Sequence, residues 1–300
     1  MTNRTFPTRP APPIGEFQEI DDHRLFVHRS GSGGPAVVFL PGASAVGLDY
    51  FMVQQQVSRF TTSVLYDRGG TGYSDPLPLP RTAAAVATEL RALLRAQNIT
   101  APYVFAAHSL GGAYAYRFAQ LFPHEVAGLV WLDAFHHDWD DFMPPAMSLA
   151  ATERAAPDPA HLDRLRPAVH EMNAELLADY PAHLRDPLLE AKTSDEWLRF
   201  GLAERTALTG LATELRAGPP LPDVPVLALT VLGTDPAQPL PWEEVNAAKT
   251  RMDAALVRSV SHGEQRILTD TFHHRLCFDR PDAVVRAVRD VLDRVARHAA

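Results

Sequence analysis

The segment Phe105-Ala106-Ala107-His108-Ser109-Leu110-Gly111-Gly112 sets a serine in a small-x-Ser-x-Gly frame, with an apolar run before it and a helical period after it. A serine hydroxyl becomes a nucleophile only when its oxygen is held out on a sharp turn beside a base. A strand-to-helix junction of this kind supplies such a turn, the nucleophile elbow. The strained turn draws the strand and helix backbones together, so the residues two before and two after the serine must be small. Ala107 and Gly111 meet that demand. The frame alone is weak, arising by chance on the order of 0.1 times in a chain of this composition, and a serine that only caps a helix would look the same. A second element, Leu40-Pro41-Gly42-Ala43-Ser44, ends another apolar run. A glycine-containing turn there can aim the backbone N–H of Ala43 at the point reached by the N–H of Leu110, the residue after the serine. Two such donors make an oxyanion hole, although by itself the segment is only a strand leaving its sheet.

These elements need a scaffold, and the chain has the material for one. It holds 300 residues, 46% of them apolar and 21% charged, enough for a large core and too apolar for disorder as its main state. Short β-branched runs alternate with helical periods, the pattern of an α/β sheet with helices on its faces. Gln18 to Ile20 and Arg24 to His28 suggest an opening hairpin. Ala36–Leu40, Ser63–Tyr66, Tyr103–Ala107 and Val126–Leu132 read as strands buried on both faces. Helices are expected over Leu48–Phe60, from a Thr82 cap through Ile99, and over Gly111–Phe122. Phe135 to Arg216 is rich in Ala, Arg and Pro and shows helical patches at Ala168–Leu177 and Glu196–Leu208, without a convincing strand. Strand character returns at Val224–Leu232 and Gln265–Leu268, with a helix over Glu243–Arg258 between them. A helix opened by Pro281 and striped by Val284, Val285, Val288, Val291, Leu292 and Val295 closes the chain.

With these residues in place, the sequence resembles the α/β-hydrolase fold family. The resemblance rests on Pro41 to Ser44 (PGAS), Tyr66 to Asp75 (YDRGGTGYSD), Ala106 to Gly112 (AAHSLGG) and His273 to Val285 (HHRLCFDRPDAVV), in the family's order. It implies a mostly parallel sheet of eight strands flanked by helices. The core would be residues 16–134 and 218–298, with a helical cap over 135–217 and a loose, proline-rich arm over 1–15. Ala107 stands where the family more often has glycine. A serine nucleophile points away from the branches that use aspartate, the haloalkane dehalogenases and epoxide hydrolases. The family carries its histidine after the last strand, where Asp270-Thr271-Phe272-His273-His274 offers two. His273 is preferred because it directly ends the strand-to-turn segment and leaves His274 to face solvent. Asp235, after the strand ending at Leu232, has the position at which most serine members carry the acid. Asp133, at the end of the preceding strand, has the position used by a minority, and Asp235 is preferred. The loop Asp67 to Gly72 is expected to buttress the elbow. Trp139, Phe142, Met143, Met147, Trp197 and Phe200 could line a pocket, though core packing suits most of them better.

The expectation is a serine hydrolase that cleaves a carboxylic ester, thioester or lactone through Ser109, His273 and Asp235, with Ala43 and Leu110 as oxyanion donors and no cofactor. An acyltransferase, a peptidase, a carbon-carbon bond hydrolase and a non-catalytic ligand-binding protein are the alternatives. The partner would be a small ester-like molecule. Nucleic acid is not expected, because the formal charge is −8 and the 28 basic residues, only Lys192 and Lys249 of them lysine, are scattered. His136-His137-Asp138 lacks further ligands at recognisable spacing, so no metal is expected. One cysteine, Cys277, and the lack of a spanning apolar run suggest a cytoplasmic protein without a membrane span.

Overall fold

In a computed structural model, which describes residues 11–235 and 240–299, eight strands form one sheet in the order β1-β2-β4-β3-β5-β6-β7-β8. The chain opens with β1 (Glu16–Ile20) and β2 (His23–Ser30), an antiparallel hairpin, and β2 also runs antiparallel to β4. From β4 onward all pairings are parallel. In chain order there follow β3 (Val37–Leu40), α1 (Phe51–Val57), β4 (Ser63–Tyr66), α2 (Ala83–Ala96), β5 (Tyr103–His108), α3 (Gly111–Leu121) and β6 (Val126–Leu132). A helical insertion comes next: α4 (Trp139–Phe142), α5 (Leu149–Arg154), α6 (Leu162–Leu176), α7 (Ala182–Lys192), α8 (Asp195–Ala203) and α9 (Leu208–Arg216). The chain then returns to β7 (Val226–Val231), α10 (Trp242–Arg258), β8 (Gly263–Leu268), α11 (Leu276–Asp279) and α12 (Pro281–Ala299).

The unbroken apolar runs of the central strands follow from their place in this sheet. Successive side chains point to opposite faces, so Val38, Leu40 and Phe105 enter the core under α2 and α3. Val37, Phe39, Val104 and Ala106 enter the core under α1 and α12. Both faces are covered, so alternation with polar residues would bury unpaired groups. The Thr82 side chain accepts the Ala85 N–H at 3.2 Å and caps α2 as the sequence suggests. Within α12, Val284, Val288 and Val291 are fully buried.

The structure departs from the sequence reading in places. Residues 47–60 do not make one helix, because Gly47–Tyr50 is a tight 3-10 turn closed by the Asp49 carboxylate on the Val46 N–H at 2.9 Å. The patch read over 196–208 is broken at Glu204–Thr206, another 3-10 turn. Helix α9 turns Leu211 and Leu215 into the main core, and its Glu214 accepts the Ala83 and Ala84 N–H groups at 2.8 and 2.7 Å. Of the expected arm, residues 1–10 lie outside the described residues. No helix among the described residues is long and apolar enough to cross a membrane.

Strand β5 and helix α3 flank the serine, and an aromatic cluster fixes them to each other. The Phe105 and Phe118 rings meet edge to face at 4.7 Å, with Tyr103 and Phe122 also packed on Phe118. Phe118→Ala should lower the free energy of unfolding by about 3–5 kcal/mol, the range for truncating a buried aromatic. Denaturant unfolding measures it, and a loss below about 1 kcal/mol would show that this cluster does not hold the junction.

Candidate functional site

Ser109 sits between β5 and α3 at φ 50°, left-handed backbone that a non-glycine residue rarely adopts. The strained turn is the elbow that the sequence frame suggests. A Cβ on Gly111 would collide with the Leu40 carbonyl, which is why that position must be bare. A Cβ on Gly42 would stand 2.9 Å from the Ser109 Cβ, so the 41–44 loop lies directly against the serine. Among the described residues, no protein acceptor takes a hydrogen bond from the N–H of Ala43 or of Leu110.

The His273 Nε2 is 3.0 Å from the Ser109 Oγ, and its Nδ1 is 2.6 Å from the Asp133 Oδ2. Of the residues weighed from the sequence, the structure brings Ser109, His273 and Asp133 into one hydrogen-bonded line and places Asp235 and His274 on the cavity wall. Strand β6 lies next to β5 in the sheet and β7 one strand further away, so the carboxylate that ends β6 is the nearer to the serine. Asp133 itself adopts φ 47° at that strand end. Asp235, after β7, instead lines the cavity wall where its charge acts on His274. His274 also differs from expectation. It is partly buried in the cavity wall, where desolvation and then His273 lower its pKa.

The Asp133 carboxylate is 2% exposed and carries more than the histidine. Its Oδ1 accepts the Val231 N–H at 3.2 Å, and its Oδ2 accepts the Lys249 ammonium at 2.7 Å. Burial alone would raise its pKa, but Lys249 and the His273 hydrogen bond hold it well below the usual carboxylate range. His273 is 44% exposed on its side chain and open to the cavity.

The residue before the serine is also engaged. Because the His273 carbonyl can only accept, the His108 Nε2 donates to it at 3.0 Å, and the His108 Nδ1 then accepts from the Tyr50 hydroxyl at 2.8 Å. The Tyr50 oxygen accepts the Gly42 N–H at 3.3 Å. One chain of hydrogen bonds thus links the loop beside the serine to the loop carrying the histidine. Burial, and next the charge of His273, pulls the His108 imidazole down to about 3, so it is neutral.

The Arg68 guanidinium, 1% exposed, donates to the Pro41 carbonyl at 2.9 Å, the Gly42 carbonyl at 2.8 Å and the Glu204 Oε1 at 2.5 Å. The Glu204 Oε2 accepts the Ser44 N–H at 3.1 Å. The buttress expected of Asp67 to Gly72 therefore acts on the loop of Ala43 more than on the elbow. Asp67 adds to it by accepting the N–H groups of Gly47 and Tyr73 at 2.6 and 2.9 Å, and burial raises its carboxyl to about 6.

A cavity of about 620 Å³ opens over the serine. The insertion supplies much of its wall through Trp139, Leu149, Leu165, Val169 and Trp197, with Lys192 bound to Asp49 at 2.8 Å. Of the aromatic and methionine residues weighed from the sequence, Trp139 and Trp197 line this cavity, while Met143 packs with Val245 and Met252, and Phe200 lies in the core. His136, His137 and Asp138 bring ligand atoms within 4.8 Å of one another. Arg216 already binds the Asp138 Oδ1 at 3.2 Å, and the His136 Nδ1 accepts the Asp138 N–H at 3.1 Å.

Sequence reasoning did not find Tyr50, His108, Glu204 or Lys249. For Lys249 a signal was present: in a chain whose basic residues are otherwise arginine, both lysines sit in ion pairs at this site. For the others there was none, because their partners lie 58 to 165 positions away.

The profile described as the alpha/beta hydrolase family matches residues 37–287, from β3 into α12 and with the site included. The chain belongs to that family. Two Bacillus subtilis proteins, both described as uncharacterized, match parts of this family member. YqjL is 28% identical over 45% of this chain and 54% of its own, and YbdG is 27% identical over 40% and 37%. The chain thus spans about half or less of the length of the curated relatives it matches. Among solved structures, Cfl2 from Burkholderia cenocepacia superposes with a TM-score of 0.70 at 25% identity, covering 91% of this chain and 94% of that one. An esterase from Thermogutta terrifontis gives 0.61 at 19%, over 91% and 94%. The epoxide hydrolase CorEH gives 0.63 at 16%, over 93% and 98%. These likenesses bear on the fold.

Since folding lowers the His108 pKa, its stabilising contribution is complete above the unfolded value of about 6.5 and is lost as pH falls toward about 3. One such proton gives a slope of up to about 1.4 kcal/mol per pH unit. Urea-unfolding free energies between pH 7 and 4.5 should therefore fall less steeply in His108→Asn than in wild type, and equal slopes would place the acid sensitivity elsewhere. Arg68→Met strands the Glu204 carboxylate and should cost about 3–5 kcal/mol, with Arg68→Met/Glu204→Met recovering much of it. A double variant no more stable than the single one, in the same assay, would contradict the pairing.

Proposed function

We propose that this family member is a serine hydrolase of carboxylic esters, thioesters or lactones, in which Ser109 is the nucleophile, His273 the base and Asp133 the acid. The observation that carries this reading is the unbroken line from the Ser109 Oγ through both ring nitrogens of His273 to a buried carboxylate, opening on a cavity. The Ser109 proton passes to the His273 Nε2 as the Oγ attacks the substrate carbonyl. Asp133 fixes the tautomer with Nδ1–H and stabilises the imidazolium that forms. The N–H groups of Ala43 and Leu110 take the oxyanion, each worth roughly 3 kcal/mol by analogy with other such donors. His273 then gives its proton to the leaving alcohol or thiol, and water, activated by the same imidazole, releases the acid from Ser109. The substrate is a small molecule seated under the insertion.

Hydrolysis of a short-chain p-nitrophenyl ester, followed in the first turnovers, tests this. Wild type should show a burst of nitrophenolate that Ser109→Ala abolishes. Asp133→Asn should lower kcat on the order of 10³ to 10⁴-fold, and Asp235→Asn far less. A larger loss from Asp235→Asn would return the acid to that residue. Turnover that survives Ser109→Ala would reject the nucleophile.

A further inference from the structure

The cavity over Ser109 holds several charged groups, and most are already matched. Lys192 pairs with Asp49 at 2.8 Å, and Asp133 with Lys249 at 2.7 Å. Arg205 is the exception. Its side chain lines the cavity, yet among the described residues it makes no ion pair and donates no hydrogen bond. The carboxylate next to it in sequence, Glu204, is committed to Arg68 and to the Ser44 N–H. Arg205 is exposed where it borders the cavity, so its guanidinium can exchange water for an acceptor that a substrate brings. His274 stands beside it on the cavity wall, with Arg205 and Asp235 acting on it in opposite senses.

We propose that Arg205 binds a carboxylate on the substrate, so that the preferred ester carries a free acid group remote from the scissile carbonyl. The proposal rests on the serine hydrolase reading for its kinetics but not for its binding. The planar fork of donors accepts a carboxylate in two parallel hydrogen bonds, a geometry that a lysine ammonium does not reproduce. The apolar wall from Leu165 and Val169 suits the methylene chain that separates the two ends. Arg205 is thus a specificity residue that selects a hemiester over the neutral ester of equal length.

The test compares monoethyl adipate with ethyl hexanoate, and 4-acetoxybenzoate with phenyl acetate, which place the carboxylate on the acyl and leaving halves in turn. In wild type, kcat/KM should favour the acid-bearing member of at least one pair. Arg205→Gln should reduce that preference about tenfold or more, with Arg205→Lys between the two. Arg154→Gln, an exposed arginine outside the cavity, should leave it unchanged. A second arm measures binding of the same esters to Ser109→Ala by calorimetry, with and without Arg205→Gln. If wild type turns over neither ester of either pair, this arm alone decides the carboxylate site, while the nitrophenolate burst and its loss in Ser109→Ala decide the serine hydrolase reading. No preference in either pair, or a preference that survives Arg205→Gln, would overturn the proposal.

Discussion

The Arg68 guanidinium, buried after β4, is the cation around which three parts of the chain are arranged. It takes the two carbonyls of Pro41 and Gly42 on one side and the Glu204 carboxylate on the other, while that carboxylate reaches on to the Ser44 N–H. A charge so deep in protein is tolerated only when its donors are met, and here the acceptors come from the loop beside Ser109 and from the helical insertion. The backbone that presents Ala43 to the serine is consequently held in place by a residue more than 150 positions further along the chain. The insertion thereby supplies cavity wall and also sets the geometry of the site.

A parallel arrangement holds the other side of the serine. Asp133 is shared between His273, Lys249 and the Val231 N–H, so its carboxylate is fixed by β7 and α10 as well as by its own strand. His108 ties the His273 carbonyl to Tyr50 and, through it, to Gly42. The imidazole is thus anchored at its ring by a carboxylate and at its backbone by a second, neutral histidine. In the proposed reaction, fixing both ends limits the reorganisation needed as charge develops on the ring, the condition under which such dipoles act most strongly. The 44% exposure of the His273 side chain shows that this anchoring still leaves the imidazole open to the cavity.

Sequence alone determined the features whose physics is local. Apolar runs long enough to be buried on both faces specified the parallel sheet, and the small residues at 107 and 111 specified a turn tight enough to expose Ser109. The position of His273 after the last strand followed from the family resemblance. What only the tertiary structure decided was which distant groups meet. Asp133 and Asp235 both end strands in plausible turns, and only the order of β5, β6 and β7 in the sheet places the first on His273 and the second beside His274. The Glu204 and Lys249 contacts, and the place of Arg205 in the cavity wall, unpaired among the described residues, were equally invisible, since each depends on how the insertion and α10 pack against the sheet. Periodicity and turn chemistry are set by neighbours along the chain, whereas the pairing of buried charges is set by neighbours in space.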